Sequence, residues 1–265
     1  MELGLSGRRA VVTGGTKGIG RAVAAELLAE GASVAFCARH ADDVKTAEAE
    51  LRAQHGDERG TRVFGYAADV TSPEEVDRFI GEAAAALGGI DILVNNAGGA
   101  HPGNFETLSD EDWRRDLDVK LFSQIRCTRA ALPHLRESRA PRVVNVNAVY
   151  GKYPDPAFFA TTVNRAACLN LTKVLAQEFG PEGILVNSVN IGFVVTPQWE
   201  NIRRRRAPDM TEDEFLGRLA EAEVPLGRFG TVDEVSGVVA FLASNRASYV
   251  TGAMVDVAGG MGKYV

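Results

Sequence analysis

The sequence predicts an α/β fold with a doubly wound parallel sheet, in three layers (α/β/α). Apolar segments of about six residues alternate with longer amphipathic segments, a pattern typical of repeated βαβ units. The apolar segments are short and continuous, as expected for strands that are buried on both faces. The chain of 265 residues is long enough for one such domain with a sizeable core. We therefore expect a single domain over residues 1–265.

The predicted strands cover residues 9–13, 33–38, 62–66, 90–94, 142–146, 185–190 and 253–257. The predicted helices cover residues 19–30, 41–54, 73–87, 111–137, 159–179 and 232–243. Gly31 closes the first helix, Pro73 lies in the first turn of the third with Thr71 or Ser72 as its cap, and Gly180 ends the fifth. Residues 197–225 break the alternation. They are charged, and they are predicted to form an inserted helical substrate flap.

Composition excludes several classes of protein. The net charge is 29 − 35 = −6, which argues against a nucleic-acid binder because that mode needs positive faces. No apolar run approaches the roughly 20 residues that span a bilayer, and the first residues lack the apolar stretch of a signal peptide. The three cysteines and four histidines are too scattered for a disulfide framework or a metal site. A cytoplasmic protein without a metal or a membrane partner is expected.

A glycine-rich turn follows the first predicted strand and precedes a helix. Its residues are Thr13, Gly14, Gly15, Thr16, Lys17, Gly18, Ile19 and Gly20. Glycines at this spacing let the backbone approach a pyrophosphate, and the helix N-terminus offers free N–H groups and the positive end of its dipole. The strand–turn–helix context indicates a Rossmann-type dinucleotide site rather than an ordinary tight turn.

The residue that follows the second strand predicts which dinucleotide binds. An NAD site would carry a carboxylate there for the ribose 2′-hydroxyl, whereas this chain has Arg39. A guanidinium can grip a 2′-phosphate with two hydrogen bonds, and Lys17 adds a second positive charge. The alternative is a pair of solvated surface cations. We predict NADP(H) as the cofactor.

Further motifs resemble the single-domain short-chain dehydrogenase/reductase family over the whole chain. The similar segments are the glycine turn, residues 95–98 (Asn-Asn-Ala-Gly), residues 192–196 (Gly-Phe-Val-Val-Thr), and the tail from residue 225 to residue 260. The resemblance implies a homotetramer or homodimer. It also implies an adenine contact at Asp69 and Val70, cofactor contacts at Asn96, Ala97 and Gly98, and a nicotinamide carboxamide site at Val194 and Thr196.

The same resemblance places this chain's active site outside the family pattern. The family reduces carbonyls with an Asn-Ser-Tyr-Lys tetrad. At those four positions this chain has Lys120, Ala148, Thr161 and Arg165. A threonine hydroxyl is far less acidic than a phenol, and alanine offers no hydrogen bond. Arg165 can still hold the ribose hydroxyls of the cofactor, although it cannot pass on its own proton.

Three residues are candidate replacements for the missing proton donor. Lys120 can donate a proton if its surroundings lower its pKa, and the alternative is a plain structural tether. Tyr150 and Tyr153 follow the fifth strand beside Ala148, where each is either a proton donor or part of the pocket wall. His101 is a weaker candidate, since an ordinary exposed loop histidine is the better explanation of it.

Three functions are compatible with these residues. The first is an NADPH-dependent reductase that acts on a small C=O, C=C or C=N substrate with an unusual proton source. The second is a catalytically silent NADP(H)-binding or regulatory protein on the same fold. The third is non-redox chemistry such as elimination, which the glycine turn, Ala148 and Thr161 argue against. We rank them in this order.

Overall fold

The computed structural model describes residues 2–55 and 60–262. Its strands are β1 (Arg9–Thr13), β2 (Ser33–Ala38), β3 (Val63–Ala67), β4 (Ile92–Asn95), β5 (Arg142–Ala148), β6 (Leu185–Ile191) and β7 (Met254–Val257). They form one seven-stranded sheet in the order β3-β2-β1-β4-β5-β6-β7, and every pairing is parallel. The predicted parallel α/β sheet is confirmed.

Helices cover both faces of this sheet. They are α1 (Gly18–Ala29), α2 (Ala41–His55), α3 (Pro73–Leu87), α4 (Asp110–Leu117), α5 (Ser123–Arg136), α6 (Phe159–Phe179), α7 (Pro197–Arg206), α8 (Glu212–Glu223) and α9 (Val232–Ala243). Helices α1, α2 and α9 share one apolar cluster with the sheet, and α3, α5 and α6 share another. The chain therefore forms the three predicted layers.

The predicted elements differ from the observed ones mainly in the zone 111–137. This zone is not one α-helix, because a π-helical turn over Asp118–Phe122 separates α4 from α5. A π turn accommodates extra backbone per turn, so a search for 3.6-residue periodicity does not reveal it. Strands β3 and β4 begin one and two residues later than predicted, and β5 continues to Ala148. Such shifts are ordinary at element ends.

The charged segment 197–225 forms α7 and α8, so its helical character is confirmed. Both helices are amphipathic. Trp199 and Phe215 are buried with Phe193 and Phe229 in a third apolar cluster, apart from the two on the sheet faces. The Phe193 ring lies 4.9 Å from that of Trp199 and 5.0 Å from that of Phe229. The segment is thus held beside the carboxyl end of β6 by its own core.

The strand order locates the candidate site. β1 and β4 are neighbours, and the chain leaves them towards opposite edges of the sheet. In doubly wound sheets this arrangement opens a crevice beyond the carboxyl ends of the two strands, where ligands bind. The glycine turn follows β1 and Asn96 follows β4, so both lie at this crevice.

Candidate active site

An open cleft of about 480 Å³ lies at the carboxyl ends of the strands. Its size is in the range of small-molecule sites. All the predicted cofactor residues line it, namely Gly14, Thr16, Lys17, Gly18, Ile19, Gly20, Arg39, Asp69, Val70, Asn96, Ala97, Gly98, Arg165, Val194 and Thr196. The cleft is also lined by Lys120, Ala148, Tyr150 and Thr161. The structure thus brings distant parts of the chain together as one site.

The glycine turn is held tightly against the sheet. The N–H groups of Gly14 and Gly15 both donate to the carbonyl of Cys37, over 2.8 and 3.0 Å. Gly14 has a φ of +69°, a backbone conformation that residues with a side chain rarely adopt. A Cβ on Gly20 would overlap the carbonyl oxygen of Gly14 and the amide nitrogen of Asn96. The turn therefore needs glycine for close backbone packing.

The side chain of the N-cap residue, Lys17, does not cap the N-terminus of α1. By contrast, hydroxyl side chains cap α3, α4, α8 and α9, from Ser72, Ser109, Thr211 and Thr231. The first backbone N–H groups of a helix have no partner within it, and they bind anions readily. The uncapped end, which lines the cleft, therefore fits a pyrophosphate.

Two positive side chains line the cleft, Arg39 directly after β2 and Lys17 in the glycine turn after β1. Neither has an ion pair among residues 2–55 and 60–262. His40 and Asp43 also line the cleft and were not predicted from the sequence. Unpaired cations here fit the 2′-phosphate that distinguishes NADP(H) from NAD(H).

Asn96 and Ala97 form the floor of the cleft and brace β1. The Asn96 side-chain amide donates to the carbonyl oxygens of Thr13 (2.9 Å) and Gly14 (3.1 Å). The Ala97 N–H donates to the Thr13 hydroxyl over 3.0 Å. The side-chain NH₂ group of Asn96 is thus used in contacts within the protein. We therefore expect Asn96 to contact a ligand in the cleft mainly through its backbone.

One buried hydroxyl in the cleft has no protein partner. The Oγ1 atom of Thr196 is enclosed and makes no hydrogen bond with any described residue. Buried polar groups are normally satisfied, so an orphaned hydroxyl at a cleft suggests a ligand contact. This fits the predicted carboxamide site beside Val194.

Lys120 lies at the centre of a cluster of buried polar side chains. Its side chain is only 1% exposed, forms an ion pair with Asp116 (2% exposed), and donates to the Thr161 hydroxyl over 3.2 Å. Asn164 donates to the second Asp116 oxygen over 2.8 Å. Burial, aided by the nearby charge of Arg165, lowers the pKa of Lys120 to about 8, although Asp116 opposes the shift.

Asp116 and Asn164 are site residues that sequence reasoning missed. Asp116 precedes Lys120 by four residues, a spacing that places two side chains on one helix face, so a signal for it was present. Asn164 lies on α6, far along the chain, and no sequence pattern connects it with Asp116.

Arg165 is buried beside the end of β5. Its Nη1 donates to the Val146 carbonyl (3.1 Å) and to the Asn147 side-chain oxygen (3.0 Å). Its Nε is buried and has no protein partner among the described residues. A Cβ on Gly98 would lie 3.0 Å from its Nη2, so the guanidinium rests against that glycine. Both acceptors are neutral, and the positive charge of Arg165 is not cancelled by them.

The two candidate tyrosines are placed differently. Tyr150 lines the cleft, with its ring stacked on Phe158 at 5.2 Å. Burial raises its pKa strongly, and the adjacent Asp155 raises it further, so this phenol holds its proton. Tyr153 does not line the cleft but a separate depression beside Glu221 and Glu223. The structure thus leaves Tyr153 outside the lining of the cleft, and its role as a proton donor stays a prediction.

His101, the weaker candidate, also lines the cleft. Its Nε2 lies 3.4 Å from a carboxylate oxygen of Asp112, on the first turn of α4. No group of three or more His, Cys, Asp or Glu side chains suited to a metal ion occurs in the described residues. Within the same residues, no helix has the length and apolar character needed to cross a membrane.

The parallel sheet, the glycine turn and the uncapped helix N-terminus define a Rossmann-type dinucleotide-binding protein. The family model described as Enoyl-(Acyl carrier protein) reductase matches residues 14–262. The chain is 34% identical over 263 residues to the 3-oxoacyl-[acyl-carrier-protein] reductase FabG of Aquifex aeolicus, covering 98% of this chain and 100% of the relative. The chain belongs to the short-chain dehydrogenase/reductase family.

Two solved structures are similar to this chain over nearly its whole length. One is the L-sorbose reductase of Gluconobacter frateurii in complex with NADPH and L-sorbose, with 31% identity, a TM-score of 0.95 and full coverage of both chains (100% each). The other is an NADPH-bound short-chain oxidoreductase of Pseudomonas aeruginosa PAO1, described as containing an atypical catalytic centre. It has 38% identity, a TM-score of 0.89 and 97% coverage of each chain.

Proposed function

We propose that this chain is an NADPH-dependent oxidoreductase with a noncanonical active site, and that it reduces a small substrate at a C=O, C=C or C=N bond. Lys120, Ala148, Thr161 and Arg165 occupy the four positions of the family's catalytic tetrad. The observation that carries this proposal is the hydrogen bond from Lys120 to Thr161 within the cleft.

The cofactor is NADP(H). The uncapped N-terminus of α1 receives the pyrophosphate, while Arg39 and Lys17 receive the 2′-phosphate. The unpartnered hydroxyl of Thr196 receives the carboxamide. The sorbose reductase and the Pseudomonas oxidoreductase were both solved with NADPH. When bound, the cofactor supplies a hydride, which for a carbonyl substrate goes to its carbon.

Thr161 and Lys120 supply the proton. Lys120 donates to the Thr161 oxygen, so the hydroxyl proton of Thr161 is free to point elsewhere, and no described residue accepts it. As negative charge develops on the substrate oxygen, Thr161 gives up this proton and takes one from the Lys120 ammonium. The substrate becomes an alcohol and Lys120 becomes neutral. A lowered pKa makes the lysine a better donor near neutral pH.

Arg165 keeps the site positive without taking part in proton transfer. Its guanidinium is locked by Val146 and Asn147, and its remaining N–H groups hold the ribose hydroxyls of the cofactor. Ala148 leaves space where the family has a hydroxyl. The description of the Pseudomonas relative as having an atypical catalytic centre supports the view that such sites exist on this fold.

Substitutions at Thr161 test the proposal. The wild-type protein should oxidise NADPH in the presence of at least one member of a panel of ketones, enones and cyclic imines. Thr161→Val removes the hydroxyl at nearly constant volume and should lower kcat by about 10²-fold or more, whereas Thr161→Ser should stay within a few-fold. Unchanged NADPH affinity controls for folding. Equal rates for the two variants would contradict the relay.

The alternative is a silent NADP(H)-binding or regulatory protein. The tight pairing of Lys120 with Asp116 and the absence of a hydroxyl at Ala148 favour it. It predicts NADPH binding without turnover of any substrate in the panel. We also propose that residues 197–225 act as a substrate flap on a single domain. The homotetramer or homodimer and the cytoplasmic location stay predictions.

A further inference from the structure

Arg115, like Arg39 and Arg165, lines the cleft without a counter-ion among the described residues. Arg115, on α4, lines the cleft and is exposed, and its guanidinium forms no ion pair or hydrogen bond with any residue in 2–55 or 60–262. Its neighbour Arg114 lies outside the cleft and is paired with Asp110 at 3.4 Å. Consecutive helical residues point about 100° apart, which separates the two side chains. Of the two adjacent arginines, the unpaired Arg115 therefore lies at the cleft and the paired Arg114 does not.

Two acidic residues close to Arg115 along α4 already have partners. Asp116 is paired with Lys120 and bonded to Asn164. Asp112 accepts from Ser109 and lies 3.4 Å from His101. Neither carboxylate forms an ion pair with Arg115, and neither does Glu111, which precedes it by four residues on the same helix. Because the hydrogen-bond acceptors of Arg165 among the described residues are neutral, two positive side chains without an ion pair, Arg115 and Arg165, line the cleft.

An aromatic wall stands beside these charges. Phe158 and Trp199 line the cleft, and Tyr150 stacks on Phe158 with an interplanar angle of 22°. The guanidinium of Arg206, from α7, lies 5.3 Å from the centre of the Phe158 ring. This wall offers a flat apolar surface with cations at its margin, which suits a molecule with an apolar, ring-sized body and an anionic group.

We propose that the substrate is a carboxylate with an apolar, ring-sized body, and that Arg115 binds its carboxylate group. That the bound carboxylate is also reduced rests on the proposed function. The binding of the carboxylate by Arg115 does not. A guanidinium recognises a carboxylate with two parallel hydrogen bonds. The net charge of −6 repels anions in general, so a local excess of positive charge is needed to attract one into the cleft.

The test compares phenylacetate with phenylacetamide, which differ in charge but not in shape. Their binding to the NADP⁺-saturated protein is measured by titration calorimetry. We expect phenylacetate to bind about tenfold more tightly, equivalent to about 1.4 kcal/mol. Arg115→Gln should remove this preference, while the matched control Arg114→Gln should keep it. Similar thermal unfolding midpoints exclude misfolding.

The possible outcomes separate the two proposals. Equal affinities in the wild type, no measurable binding of either probe, or a preference that survives Arg115→Gln overturns the carboxylate site. A protein that binds phenylacetate through Arg115 and yet oxidises no NADPH with any substrate supports the carboxylate site. That same result contradicts the reductase.

Discussion

The ammonium group of Lys120 donates a hydrogen bond to the hydroxyl of Thr161 over 3.2 Å, at the side of the cofactor cleft. The donor lies in the π turn between α4 and α5, and the acceptor lies in the first turn of α6. π turns occur often at functional sites. The bond joins Lys120, whose pKa is lowered, to the Thr161 hydroxyl, whose own proton is accepted by none of the residues that the structure describes. Four predictions concern this pair and the cofactor cleft around it.

The rate of reduction should depend on the protonation of Lys120. We expect kcat to fall as the pH rises through about 8, because only the ammonium form can replace the proton that Thr161 gives up. Lys120→Arg should show a lower kcat and no fall in this range, since arginine stays charged. Steady-state rates across a pH series measure both. A wild-type profile that stays flat well above pH 8 would rule out Lys120 as the donor.

The pair formed by Lys120 and Asp116 should be important for stability. Lys120→Met leaves the Asp116 carboxylate buried without its counter-ion, which should lower the free energy of unfolding by about 3–5 kcal/mol. Adding Asp116→Asn removes the stranded charge and should restore most of the loss. Urea unfolding of the single and double variants measures the difference. Equal stabilities of the two would show that the charge is not the cause.

Cofactor selectivity should depend on Arg39 and Lys17. Each lost charge-assisted contact should cost about 1.5–3 kcal/mol, so Arg39→Ala should weaken NADPH binding by roughly 10–100-fold. NADH binding should hardly change, because it has no 2′-phosphate. Lys45→Ala removes an exposed cation of α2 that does not line the cleft, and it serves as the control. A parallel loss of NADH affinity would mean that Arg39 does not contact the 2′-phosphate.

Gly20 should tolerate no side chain. Gly20→Ala places a methyl group against the Gly14 carbonyl and the Asn96 amide, so it should cost about 1–3 kcal/mol of stability and weaken NADPH binding. Gly81→Ala is the matched control, because Gly81 also lies within a helix and has nothing within 4 Å of its would-be Cβ. It should stabilise the protein by about 0.8–1 kcal/mol. Thermal unfolding and NADPH titration distinguish the two variants, and an unaffected Gly20→Ala would contradict the close packing.

Most of the sheet and the cofactor side of the cleft could be predicted from the sequence. The parallel sheet follows from repeated βαβ units, and the glycine turn depends on local backbone geometry, which a short motif encodes. The position of Arg39 at the cleft could be predicted because Arg39 follows directly after β2, at the edge where the carboxyl ends of parallel strands meet. These features depend on contacts that are close along the chain or set by sheet topology.

The proton side of the cleft could be predicted only in part. Lys120 was identified by its position, but its environment depends on Asp116, Thr161 and Asn164, which α4 and α6 bring together. Tyr150 and Tyr153 are equivalent in the sequence, three residues apart after β5. Only the course of the loop shows that one lines the cleft and the other lies in a separate depression.

The sequence by itself determined the α/β class and the glycine turn, because each is a property of local pattern and spacing. The tertiary structure alone decided that Lys120 is buried, that it is bonded to Thr161, and that Arg115 is left unpaired. Burial and pairing depend on contacts between segments that are far apart in the chain. Sequence periodicity holds no information about the distance between two such side chains. The lowered pKa of Lys120 follows from that burial, so it too is a tertiary property.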